Sequence, residues 1–362
     1  MGGVRRAALG RHPAGVFFAL AGALAAALPW VWLLPVDDPG LAHVRLGIFG
    51  FGGAAVTGYI LTAQKAWTGR DAPLPAPALA LLALAARAAA LVWPEAILPV
   101  ALPLLAVALS VLWPVIAAGR WARLPIASVP LALVAAEAAL MRGSIPAGVL
   151  PLAMAALILA VGGRAVPAFL AADAELAGKT PARPSPHWPG LGLVAAAMAL
   201  AGPARAAMLC LAALWILTRL RGFGQAGPAN RMLALAYGGL APALAALAAA
   251  AEEALPAAAA EHLVTMGVMG PMILAFAARA TMDRLPGRPL APLWRHRIAF
   301  AALAVAAVIR AGAEAAADPV PWITLAGGIW TGGWLAFLAA HLPALARPAP
   351  FPVLSAARRP PV

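Results

Sequence analysis

Apolar runs of about twenty residues recur from one end of this chain to the other, and that is the length a helix needs to cross the hydrocarbon core of a bilayer. Bounded by charges, prolines and glycines, twelve such runs fall near 16–34, 44–63, 77–93, 96–118, 124–141, 146–170, 188–202, 204–220, 231–250, 258–280, 297–316 and 321–341. No water is available in that core to satisfy backbone amides, so each segment must bond within itself. The fold class read from the runs is therefore all-α, a membrane protein of about twelve transmembrane helices. Composition agrees, since 64% of the 362 residues are hydrophobic and only 11% are charged, against roughly a quarter charged in a soluble domain. The seventh and eighth runs are short and divided only by Gly202 and Pro203. They read either as two spans or as one kinked span with a re-entrant piece.

The formal charge of +13 would suggest nucleic acid in a soluble protein. Here the basic residues occupy short gaps between apolar runs, so the charge reads as topology and no nucleic-acid partner is expected. With the N-terminus inside, the cytoplasmic segments hold nineteen lysines and arginines, among them Arg5, Arg6, Arg11, Lys65, Arg70, Arg183, Arg284, Arg288, Arg358 and Arg359. The outer segments hold three, Arg45, Arg142 and Arg205, and four more, Arg87, Arg164, Arg279 and Arg310, fall within runs. Losing one span would reverse the downstream loops and destroy the bias. Three regions result: a cytoplasmic segment 1–15, a membrane domain 16–341 and a cytoplasmic Pro/Arg-rich tail 342–362. Arg5, Arg6 and Arg11 ahead of the first run resemble a secretory signal. A run from Val16 to Leu34 is long enough to remain as an uncleaved span. The reading is a multi-pass protein of a bacterial inner membrane, with the lipid bilayer as its partner. Cys210, the single cysteine, excludes an internal disulfide and reads as a small buried packing residue.

Ionisable residues within spans are the default functional candidates. Of six histidines, His12, His187 and His296 fall in cytoplasmic segments and read as solvated or headgroup-facing, while His341 ends the last run as an interfacial anchor. His43 and His262 differ, because each stands at the outer entrance of a run that passes inward, the second and the tenth. Gly47 and Gly50 follow His43 at four and seven positions, then Gly53 and Gly58; Thr265, Met266 and Met269 follow His262. Such spacing keeps small or soft side chains on one helix face. That face admits either a neighbouring helix or a planar macrocycle. Two histidines at matching depth are what axial ligation of haem requires, each ring being oriented by an acceptor on its other nitrogen. Of the arginines within runs, Arg164 and Arg279 lie near cytoplasmic ends and can snorkel, whereas Arg87 and Arg310 sit deeper and call for a partner such as Glu314, one turn from Arg310. Those arginines, with many glycines and prolines, also suit a haem-free transporter or scaffold. No nucleophile motif and no phosphate-binding loop is present, and no catalytic residue is assigned.

Three further motifs lie on the cytoplasmic side. They are Trp67-Thr68-Gly69-Arg70, then Gly162-Gly163-Arg164-Ala165-Val166-Pro167-Ala168-Phe169, and a stretch from Glu261-His262 through Arg279-Ala280-Thr281 to Gly287-Arg288-Pro289-Leu290. Together with the two histidines, and in this order, the set resembles the NnrS family from about His43 to Leu290. The resemblance implies a bacterial membrane protein of twelve spans, associated with haem and copper and with the response to nitric oxide and nitrosative stress. The family's His-Ala-His-Glu-Met run before Phe-Gly-Phe is altered here: Phe49-Gly50-Phe51 remains and His43 matches the first histidine, but Arg45 and Leu46 replace the second histidine and the glutamate. The family's Gly-His-Thr-Gly-Arg run is altered too, with Arg284-Leu285-Pro286 where its histidine falls. Two ligands implied by the resemblance are thus missing, which leaves haem b supported by His43 and His262 and takes support from copper.

Haem–copper oxidase cores are a looser analogy for the architecture. They too have twelve spans and hang a six-coordinate haem between histidines of the second and tenth; their copper ligands come from the sixth and seventh, which carry no histidine here. The combined reading is an NnrS-like protein binding haem b between the outer ends of helices 2 and 10. Arg45 is a candidate partner for a haem propionate or for a lipid headgroup, and Gly47, Gly50 and Met266 are candidates to face the macrocycle. The electron-transfer partner is not named by the sequence.

Overall fold

The computed structural model describes residues 8–71, 73–182, 186–350 and 353–354. Arg5, Arg6, Arg183, Arg358 and Arg359 of the cytoplasmic count lie outside the described residues. Each apolar run becomes one helix. In chain order these are α1 (Pro13–Leu33), α2 (Pro39–Thr68), α3 (Ala76–Val92), α4 (Ile97–Ala117), α5 (Trp121–Met141), α6 (Val149–Leu176), α7 (Trp188–Ala199), α8 (Gly202–Thr218), α9 (Pro228–Ala251), α10 (Ala257–Arg279), α11 (Trp294–Ala315) and α12 (Val320–Ala346). Among the described residues nine are long and apolar enough to cross a membrane; α3, α7 and α8 are shorter. At about 1.5 Å per residue, the twelve residues of α7 reach only about 18 Å. Leu200 and Ala201 are extended, so α7 and α8 are two separate helices that pack on each other rather than one kinked rod.

Local chemistry sets the ends. Asp38 accepts the Leu41 amide at 2.8 Å and Pro39 occupies the first turn, the arrangement that starts a helix most readily. The second helix therefore begins five residues before the apolar run at 44. At its other end Trp67-Thr68-Gly69-Arg70 is a C-terminal cap. Gly69 turns left-handed at φ 73° and donates to the Lys65 carbonyl at 2.9 Å, and the Thr68 hydroxyl accepts the Arg70 amide. A left-handed residue there satisfies carbonyls that the helix would otherwise leave open. The sixth helix runs to Leu176, beyond the expected 170, because Asp173 finds buried partners within the fold.

The described residues divide into two compact units, one within 8–147 and 337–354 and the other within 148–336. In the first, α1 packs along α2 through missing side chains: a Cβ at Gly58 would lie 3.0 Å from Phe17, and one at Gly47 would lie 3.3 Å from Leu28. In the second, α9, α10 and α11 pack in succession, and a Cβ on Gly270 would stand 2.5 Å from the Trp330 ring. Leu, Val, Ala and Phe side chains fill both interiors. Cys210 contradicts its expectation as a buried packing residue, since it is exposed on α8.

Two histidines also depart from expectation. His341 is fully buried rather than interfacial; its Nε2 meets the Gly15 carbonyl at 2.9 Å and its ring lies 4.9 Å from Phe337. His296 is fully buried at the start of α11 and is not solvated. The apolar surroundings of each segment outweigh the preference of imidazole for water. His12 caps α1, its Nδ1 accepting the Ala14 amide at 3.3 Å. Burial lowers its pKa from 6.5, with Asp71 partly offsetting that effect. The folded protein thus holds the ring neutral while the unfolded chain takes up a proton near 6.5. Its contribution to stability is complete above that pH and is lost as the pH falls below it. Thermal unfolding in detergent should show this loss as the pH falls below 6.5, and His12→Asn, which keeps an acceptor at the cap, should remove that part of the pH dependence.

Candidate functional site

His43 and His262 stand in helices of the same construction. Each is half-buried and lies one short turn before a π-helical segment, Arg45–Gly52 after His43 and Thr265–Met269 after His262. Each π segment ends at a glycine that opens the remaining α-helix, Gly53 or Gly270. Widened turns of this kind are rare and concentrate at functional positions. In α10 the cause is visible in the sequence: Pro271 has no amide hydrogen, and its ring excludes the carbonyl four residues earlier, so the ladder must widen before it. In α2 the segment carries Gly47, Gly50 and Gly52.

The ring of His262 has a fixed orientation. Its Nδ1 lies 2.7 Å from the Ala258 carbonyl, which can only accept, so Nδ1 carries a hydrogen; in the neutral ring Nε2 is then the basic nitrogen. That is the tautomer a metal-ligating imidazole needs, held by the kind of backbone acceptor that orients such rings. The ring of His43 packs at 5.7 Å against that of Trp32. Of the residues expected to face a macrocycle, Met266 is half-buried on its π segment. Gly47 faces Leu28, and Gly50 faces the methylenes of Arg87, its absent Cβ leaving 3.2 Å to Arg87 Cδ. Both neighbours belong to the first unit. Among the described residues no three His, Cys, Asp or Glu side chains converge as a metal-ligand group.

Arg45 is neither at a headgroup nor on the surface. It is 3% exposed, and its Nε donates to Glu137 Oε1 at 3.0 Å. Arg87 donates to both oxygens of the same carboxylate, Nη1 to Oε1 at 2.9 Å and Nη2 to Oε2 at 3.1 Å. The partner of Arg87 is therefore Glu137, on α5, and sequence reasoning missed it. The available signal was that Glu137 is the only carboxylate in the fifth apolar run. Arg310 and Glu314 do pair as read, at 2.6 Å.

The Gly162–Phe169, Arg279–Thr281 and Gly287–Leu290 motifs of the second unit meet around polar ties. Asn230 donates to Asp173 Oδ2 at 2.7 Å and to the Phe169 carbonyl at 3.2 Å, and its own oxygen accepts from Arg279. The Arg279 guanidinium lies 3.7 Å above the Phe169 ring. At 2% exposure Arg279 does not snorkel as expected. The Gly227 amide donates to Asp173 at 2.7 Å, and the Ala229 amide donates to the Leu290 carbonyl, which docks the Gly287–Leu290 stretch. Gly162 lets Tyr237 approach, with 2.6 Å from a built Cβ to the ring, while the Gly163 carbonyl accepts from Arg219 at 2.6 Å. Asp173 and Asn230 carried no motif signal of their own.

Apolar helices with buried ion pairs and polar ties between spans define a multi-pass helical membrane protein. The family model described as "NnrS protein" matches residues 10–349, and the chain belongs to the NnrS family. A comparison with curated proteins finds no match.

Proposed function

We propose that this protein is an inner-membrane haem protein of the nitric oxide and nitrosative stress response, with twelve spans, both termini cytoplasmic, and His43 and His262 as axial ligands of haem b. The observation that carries the reading is the 2.7 Å contact of His262 Nδ1 with the Ala258 carbonyl, the kind of backbone acceptor that orients a metal-ligating imidazole. Its support is the second histidine in a helix built the same way, with a π segment directly after it, and membership of the family. Haem with two histidine ligands has no open coordination position and supplies one-electron exchange. The reading is thus electron transfer or sensing rather than direct gas chemistry. Copper is not part of it, since the ligand residues that the family resemblance implies are replaced by Arg45, Leu46 and Arg284-Leu285-Pro286. A transport path has less support, because Arg45, Arg87 and Arg310 each hold a carboxylate and Arg279 is tied to Asn230 and Phe169.

Protein purified from haem-replete cells should show reduced-minus-oxidised absorption of a b-type haem. His43→Ala and His262→Ala should each remove it while the variants still elute as the wild type does. A colourless wild-type preparation, or full absorption in both variants, would overturn the reading.

A further inference from the structure

The Arg45–Glu137–Arg87 cluster does not balance its charge. Two guanidiniums, 3% and 6% exposed, share one carboxylate that is 4% exposed. One positive charge is left over inside the first unit. Backbone carbonyls take up some of the donors: Arg45 Nη1 bonds Ala90 and Pro94 at 3.3 and 3.0 Å, and Arg87 Nη2 bonds Val100 at 3.0 Å. Carbonyls supply dipoles but no net charge. Glu95, one residue past Pro94, is exposed and forms no ion pair with the cluster among the described residues. Arg45 Nη2 is buried, and among the described residues no acceptor reaches it. A buried donor without a partner and an uncompensated charge in low dielectric are both costly, and a bound anion relieves both at once.

We propose that this cluster is a binding site for a single monoanion, a carboxylate or a compact inorganic anion, received by Arg45 Nη2. The valence follows from the charge count. One negative charge brings two arginines and one glutamate to neutrality, whereas a dianion would only reverse the imbalance. Arginine suits a planar oxyanion because its fork of donors is fixed, and Glu137 and the two carbonyls hold that fork in place. The inference is independent of the haem reading, although a haem propionate is one possible source of the carboxylate.

The test is thermal unfolding of the full-length protein in detergent, titrated with acetate or nitrate and, separately, with sulfate at matched ionic strength. It is run on protein from haem-depleted and haem-replete cells. Acetate or nitrate should raise the melting temperature of haem-depleted protein to a plateau, and sulfate should not. Arg45→Gln should lose the saturable response. Glu137→Gln, with two positive charges left, should saturate at roughly tenfold lower anion concentration. Arg45→Lys, which keeps the charge but not the fork, should respond weakly and serves if either variant fails to fold. A plateau that persists in haem-loaded protein identifies a free anion, and one that disappears on haem loading identifies the cofactor's own carboxylate. No saturable response in either preparation, or an equal response in wild type and Arg45→Gln, would overturn the proposal. Haem absorption is read from the same samples, so the two readings can fail separately.

Discussion

Glu137→Ala should cost about 3–5 kcal/mol and remove most of the monodisperse protein recovered in detergent. The loss comes less from the attraction that disappears than from what remains. Two buried guanidiniums would face each other with only the carbonyls of Ala90, Pro94 and Val100 around them. Replacing all three residues together, Arg45→Met, Arg87→Met and Glu137→Leu, should return the melting temperature close to that of the wild type, because a well-packed apolar set costs no desolvation. Recovery and melting temperature of the single and triple variants decide the matter. A Glu137→Ala protein as stable as the wild type would show that the cluster does not carry its charges as described.

Asn230→Leu should be the second large effect, at about 2–4 kcal/mol. Asn230 is nearly isosteric with leucine, so the change deletes hydrogen bonds rather than volume. Its amide nitrogen holds Asp173 and the Phe169 carbonyl while its oxygen holds Arg279, which couples α6, α9 and α10 through one side chain. Without it a buried carboxylate and a buried guanidinium lose the neutral bridge between them. Leu235→Ala, an exposed position on the same helix, should change stability by less than about 0.5 kcal/mol. If the two substitutions have the same effect, the network contributes nothing beyond ordinary packing.

Much of the fold was legible along the chain because a bilayer imposes a length and a hydropathy that a single segment must meet alone. Each apolar run is recovered as a helix, and the Trp67–Arg70 motif, a local cap, depends only on residues within one turn. The Arg310–Glu314 pair was legible for the same reason, four residues apart on one helix. Arg87 and Glu137 are fifty residues apart, and nothing in the spacing of either predicts that α3 and α5 bring them together. His296 and His341 were misjudged because burial depends on which neighbours close over a helix end, and composition near the residue does not record that.

By itself, then, the sequence determined the number and order of the apolar helices and the caps that end them, together with the two histidines that family resemblance singles out. Each of these is fixed by contacts within a turn or by a segment's own transfer into lipid. Tertiary structure alone decided that Arg45 pairs with Glu137, that Gly47 lies against Leu28 and Gly50 against Arg87, and that Asp173, Asn230 and Arg279 form one network. Those outcomes depend on side chains far apart in the chain meeting in low dielectric, where the requirement to pair every buried charge and donor selects partners that spacing cannot name.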